Sequence, residues 1–246
     1  MKRINSDVAY DYVRTKILNG TFPPGRSLMT NELAQEIGIS RTPVKDALRQ
    51  LETDGLVVVQ TRVGAKVRAM EQNEFRELCE LRLALEGYAA GLAARNRTRA
   101  DLLEIDGALQ LMILLMKEVN VESDALFSEV LHNDVRFHVT ILSAGKNETI
   151  KSQILRLHVI NRVMSRGTPI SIQGSNWFAR LKETIDSHTS IYEAIVAGDE
   201  VNARGRMEQH IQEVIDEHFL LAKQPNVVGI RELTDEEMNY MALIPR

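Results

Sequence analysis

The sequence predicts a mostly α-helical chain in two parts: three helices closed by a β-hairpin, then an all-α antiparallel bundle of six or seven helices. Two observations predict it. Proline and glycine are scarce, at 6 and 14 among 246 residues, and long stretches of Leu, Ala, Glu, Arg and Met run without either. Charge also divides along the chain: residues 1–68 hold eleven Lys/Arg against seven Asp/Glu, a net +4, whereas residues 69–246 hold nineteen against twenty-seven, a net −8. A basic unit joined to an acidic one fits a DNA-binding module coupled to a module with another task.

Asn5 or Ser6 can cap a first helix from about Asp7 to Leu18, with Val8, Ala9, Tyr12, Val13 and Ile17 as its apolar stripe. Gly20 ends it, and Phe22-Pro23-Pro24-Gly25 forbids its continuation. Thr30 offers a cap for a short helix, Asn31 to Ile37, and Gly38 permits the left-handed residue of a tight turn. Ser40 caps a third helix, roughly Arg41 to Thr53, with Val44, Ala47, Leu48 and Leu51 on one face. Two short helices joined by Gly38-Ile39-Ser40 form a helix-turn-helix. The outward face of the second carries Arg41, Thr42, Lys45 and Arg49, placed where a recognition helix meets base edges and phosphates. Gly55 stops it. Val57-Val58-Val59 and Ala65-Lys66-Val67 then read as a hairpin across Thr61-Arg62-Val63-Gly64, a basic wing able to reach a minor groove. The expected partner of this winged helix-turn-helix is double-stranded DNA.

Beyond it, helices are expected over 71–95, 99–119, 122–144, 147–166, 175–197 and 199–222. The breaks fall at Asn96-Arg97-Thr98, Asn120-Val121, Gly145-Lys146-Asn147, Gly167 to Gly174 and Gly198-Asp199. Amphipathic helices of about twenty residues pack as a bundle. The expected domains are 1–70, 71–224, and a tail over 225–246 in which Thr234 to Met238 reads as a capped helix. The opening residues are polar, and the most apolar run, Leu109–Met116, is too short to span a bilayer, so a soluble cytoplasmic protein is expected. The single cysteine, Cys79, has no partner for an internal disulfide or thiolate site and reads as a core residue. No dinucleotide fingerprint, phosphate loop or catalytic triad spacing is present.

Asp134 and His138 stand four apart on one helix and so share a face. His188 and His210 lie on two later helices beside apolar neighbours. Four such ligands could converge on a divalent metal such as Zn, Ni or Mn inside the bundle. Hydrogen-bonded core histidines would give the same pattern, and His132, His158 and His218 are equally available by composition.

The run NELAQEIGISRTPVKDALRQLETDGLVVVQTRVGAKV, preceded by ILNGTFPPGRSL, resembles the DNA-binding domain of GntR-type bacterial transcription regulators over residues 7–68. That resemblance implies base contacts from Arg41, Thr42 and Lys45, a minor-groove contact from Gly64, phosphate contacts from Arg49 and Arg26, and a contact from Asn31. Lys45 stands where many relatives carry Arg, and a lysine lacks the bidentate fork that suits guanine.

The stretches NDVRFHVTILSAGKN and SHTSIYEAIVAGDEVNARGRMEQHI are similar to the effector-binding domain of the FadR-like branch. This implies a helical bundle that dimerises and a metal held by Asp134, His138, His188 and His210, the metal helping to hold a small carboxylate effector. ELRLALEGYAA resembles the start of that domain, where Arg82 would reach the effector carboxylate. A salt bridge from Arg82 to Glu86, four residues on, is the structural alternative. Asn161 and Arg162 are further candidates to line the pocket. The expected protein is thus an effector-controlled transcription regulator, homodimeric on a near-palindromic operator. The alternatives are a metal-dependent hydrolase built on the bundle and a nucleoid protein without an effector.

Overall fold

In the computed structural model the described residues are 5–60, 64–69, 72–118, 124–164 and 177–221. They form two compact units, one over residues 5–76 together with 158–164, the other over residues 77–157 and 177–221.

The first unit begins with α1 (Asn5–Leu18), α2 (Thr30–Ile37) and α3 (Arg41–Thr53). Ala9, Val13 and Ile17 of α1 are buried together with Leu33, Val44, Ala47, Leu48 and Leu51. Tyr10 joins them, and its hydroxyl donates to Asp54 Oδ2 at 2.6 Å, tying α1 to the end of α3. Tyr12, expected in the apolar stripe, instead sits at the rim and hydrogen-bonds Glu36 on α2. Gly38 has φ 76° and its N–H bonds the Ala34 carbonyl, which is the left-handed stop the sequence called for. Pro43 is tolerated because it lies in the first turn of α3.

Three expected caps differ. Helix α1 already contains Asn5 and Ser6. Thr30 is the first residue of α2 and is buried, because the chain enters that helix directly from an extended Met29. Ser40 occupies the N-cap position of α3, but its hydroxyl makes no capping bond.

The wing is larger than a hairpin. Strands β1 (Ser27–Met29), β2 (Val57–Gln60) and β3 (Gly64–Val67) form an antiparallel sheet in the order β1-β3-β2. Ala65 pairs with both Leu28 and Val59, and Gly64 with both Met29 and Gln60. The wing residues Thr61, Arg62 and Val63 lie outside the described residues.

The second unit holds most of α4 (Gln72–Asn96), then α5 (Arg99–Glu118), α6 (Asp124–Ala144), the first part of α7 (Glu148–Met164), α8 (Trp177–Ala197) and α9 (Glu200–Leu221). Three starts are capped at the breaks read from sequence. Thr98 and Asp101 bond each other's backbone N–H groups at 2.8 and 3.2 Å. Asn147 Oδ1 accepts from the Ile150 N–H at 3.0 Å, and Asp199 Oδ1 from the Asn202 N–H at 3.0 Å. Helices α5 and α6 pack together, α8 packs on both α5 and α9, and α4 meets α9 closely. A Cβ at Gly87 would collide with the Glu208 side chain, and one at Gly91 would stand 3.2 Å from the Glu200 carbonyl oxygen. Small residues at this spacing let α4 approach closely enough to present Glu86 to the core. Phe137, Ile141, Ile191, Ile195, Met207 and Met112 fill that core at under 2% exposure.

Candidate metal centre and DNA-reading face

The apolar core of the second unit holds a polar cluster. His138 on α6, His188 on α8 and His210 on α9 are 6%, 0% and 4% exposed. Their ring nitrogens converge: His188 Nε2 lies 3.2 Å from His210 Nε2, which lies 3.3 Å from His138 Nε2. Buried imidazoles at this range need protons or a cation between them, and one N–H on His210 can serve only one of its two neighbours. Phe137 stacks on His188 at 4.2 Å between centroids, which fixes that ring. Asp134, one turn before His138, brings Oδ1 to 3.6 Å from His188 Nε2. Three of the four residues named from the sequence thus converge, and Asp134 approaches the cluster through His188. His132 does not join the converging imidazoles.

The electrostatics separate the three rings. Burial, followed by repulsion from the other imidazoles, holds His188 well below its ordinary value. The same causes, led by burial and His138, push His210 down to about 3. Burial also pulls His138 down, but the Glu86 carboxylate outweighs it and raises this ring. Neutral imidazoles with convergent lone pairs are the form in which histidine ligates a metal.

Glu86 is a residue that sequence reasoning offered only as a salt-bridge partner. It is 1% exposed, and its two oxygens face different groups. Oε1 accepts from Arg82 Nε at 2.9 Å, and Oε2 lies 3.2 Å from His138 Nδ1. The signal available was the i,i+4 spacing of Arg82 and Glu86, which gave the pair but not the histidine behind it. Arg82 thus makes the salt bridge that was its structural alternative, immediately beside the cluster. The side chains of Asn161, Arg162, His158 and His218, and the tail over 225–246, fall outside the described residues.

In the first unit, Arg41, Thr42, Lys45 and Arg49 are all exposed along one face of α3. Arg41 Nη1 reaches Asn31 Oδ1 at 3.4 Å, so the start of α2 adjoins the start of α3. Arg26 is exposed, lies over the Phe22 ring at 4.1 Å, and donates to the Thr21 carbonyl at 2.9 Å. Gly64 has a structural reason for being glycine: a Cβ there would strike the Leu28 carbonyl oxygen of β1. No described helix is long and apolar enough to cross a membrane.

Comparison with known proteins agrees with both units. Residues 5–67 match the bacterial regulatory proteins of the gntR family, and residues 77–213 match the FCD domain. The HTH-type transcriptional regulator LutR of Bacillus subtilis is 29% identical over 221 residues, covering 81% of this chain and 94% of that protein. The gluconate operon transcriptional repressor of the same organism is 25% identical over 213 residues, covering 85% and 81%. Among solved structures, E. coli McbR/YncC superposes with a TM-score of 0.66 at 20% identity, over 90% of this chain and all of that one. These relatives are regulators of transcription and not enzymes, which removes the hydrolase alternative. The chain belongs to the GntR family of bacterial transcription regulators and carries an FCD domain.

Proposed function

We propose that this regulator binds its operator as a homodimer and that a small carboxylate effector, held with a divalent metal in the helical bundle, sets its affinity for DNA. The observation that carries the metal is the convergence of three buried Nε2 atoms, with separations of 3.2 and 3.3 Å. A tetrahedral site with Zn–N bonds of about 2.0–2.1 Å has ligand edges of about 3.3–3.4 Å, so the imidazoles stand at the spacing such an ion needs. His138, His188 and His210 would hold the ion, with Asp134 as the carboxylate ligand. When bound, the ion supplies a Lewis-acidic centre able to accept a carboxylate oxygen. Arg82 supports the anion preference. It meets Glu86 through Nε, and among the described residues its Nη groups have no hydrogen bond.

For DNA, exposed Arg41, Thr42 and Lys45 on α3 are the proposed base-reading set, with Arg49, Arg26 and Asn31 at the backbone and Gly64 at the wing. The effector acts by population shift, binding more tightly to one arrangement of the paired subunits.

The test is operator binding, measured by fluorescence anisotropy on the Zn²⁺-loaded protein with small carboxylates titrated in. Wild-type affinity should shift at least fivefold with one of them, and H188A/H210A should not respond. A panel of carboxylates that leaves operator affinity unchanged would sink the effector reading. Absence of Zn²⁺ binding would sink the metal reading.

A further inference from the structure

We propose that Glu86 is a positioning residue for the metal centre: its carboxylate holds His138 as the Nδ1–H tautomer, aiming the Nε2 lone pair at His188 and His210, while Arg82 fixes that carboxylate from the other side. The inference rests on the metal reading above. It is carried by geometry. Glu86 Oε2 lies 3.2 Å from His138 Nδ1, and the opposite nitrogen of the same ring is the one that lies 3.3 Å from His210. A ring nitrogen facing a carboxylate carries the proton, which leaves Nε2 as the lone-pair side.

Packing alone does not account for the residue. Glu86 is surrounded by a core in which an apolar side chain would satisfy packing, and a buried carboxylate is costly unless it is paired. Here Oε1 is paired with Arg82 Nε at 2.9 Å, and Oε2 stands at ion-pair distance, 3.2 Å, from His138 Nδ1 without meeting the geometry of a hydrogen bond. The second partner is a candidate ligand, which matches the carboxylate–histidine–metal arrangement that orients imidazole ligands in general. His188 differs in its neighbours: among the described residues no carboxylate oxygen is recorded at its Nδ1, and its ring is held by stacking on Phe137. Among the described residues, His138 is the imidazole with a carboxylate oxygen at its Nδ1, the nitrogen turned away from the other two rings.

The full-length protein is tested by Zn²⁺ competition against a chromophoric chelator. E86Q should bind Zn²⁺ about 10- to 100-fold more weakly than wild type, as loss of an outer-shell partner typically does. In an H138A background the same change should cost less than twofold, because Glu86 acts only through His138. E86Q affinity within twofold of wild type, or an equal loss in both backgrounds, overturns the proposal. Wild-type protein that binds no Zn²⁺ overturns the metal reading together with it, so the two failures are distinguishable. Should E86Q not fold, ¹H–¹⁵N correlation of the imidazoles in Zn²⁺-loaded wild type decides the matter. A protonated His138 Nδ1 is expected, and a protonated Nε2 overturns the assignment.

Discussion

His188 and His210 face each other through the same atom, Nε2 to Nε2 at 3.2 Å, in a core that gives neither ring access to solvent. The contact has a consequence for acid stability. In the folded chain His210 is pushed down to about 3 and His188 is held well below its ordinary value, with burial as the leading cause. In the unfolded chain both protonate near 6.5. Between those limits the unfolded state binds more protons, so stability falls as pH falls below about 6.5. Each such ring contributes at most about 1.4 kcal/mol per pH unit. His138 is raised instead, so its contribution is fully present below 6.5 and is lost as pH rises through its folded value. Urea unfolding of metal-free protein at pH 7 and pH 5.5 should show a clear loss at the lower pH, and H188N/H210N should flatten it. Equal stability at both pH values in wild type would contradict the neutral pair.

The Arg82–Glu86 pair is buried enough to matter for folding, with side chains 11% and 1% exposed. Arg82→Ala removes the guanidinium from a buried carboxylate. Breaking a buried pair from one side costs about 3–5 kcal/mol, so a loss near the lower end is expected by chemical denaturation. The double variant R82A/E86A should recover part of that loss. A single variant as stable as wild type would mean that water reaches Glu86 readily.

Much of this was legible in the sequence, for physical reasons that differ by element. The bundle helices are long, and their breaks carry Thr98, Asn147 and Asp199, whose side chains cap the next helix. Strand β1 was not legible. Ser27–Met29 is three residues long, too short for any period, and exists because β3 pairs with it. Thr30 looked like a cap because Thr favours that place. Pairing of β1 moves the helix start and buries it instead. At the site, Asp134 and His138 could be placed on one face from spacing. The meeting of His138 with His188 and His210, 50 and 72 residues later, is a product of packing that periodicity does not encode. Glu86 was hidden for the same reason, since its partner His138 lies on another helix.

Gly64 tests whether the wing depends on close backbone contact. It pairs with Met29 on one side and Gln60 on the other, and a Cβ there would strike the backbone carbonyl of Leu28. The obstacle is backbone, so it cannot swing aside as a side chain would. Gly64→Ala should destabilise the first unit by roughly 1–3 kcal/mol, the usual cost of overpacking. It should also weaken DNA binding in proportion to loss of the folded wing. An alanine variant with wild-type stability that binds DNA more weakly would assign Gly64 to the DNA contact alone.

The proposed roles of Lys45 and Arg49, base reading and phosphate contact, can be separated experimentally because both lie exposed on α3. Both are exposed on α3, so replacing either with Ala should leave thermal unfolding nearly unchanged. Lys45 is assigned to base edges, so Lys45→Ala should narrow the gap between operator and random duplex by about 1–3 kcal/mol. Arg49 is assigned to phosphate. Arg49→Ala should weaken both duplexes alike and reduce the slope of log affinity against log salt by about one. Anisotropy titrations of both duplexes over a salt series measure both quantities at once. Unchanged discrimination in Lys45→Ala would remove it from the base-reading set. A salt slope unchanged in Arg49→Ala would place that guanidinium off the backbone.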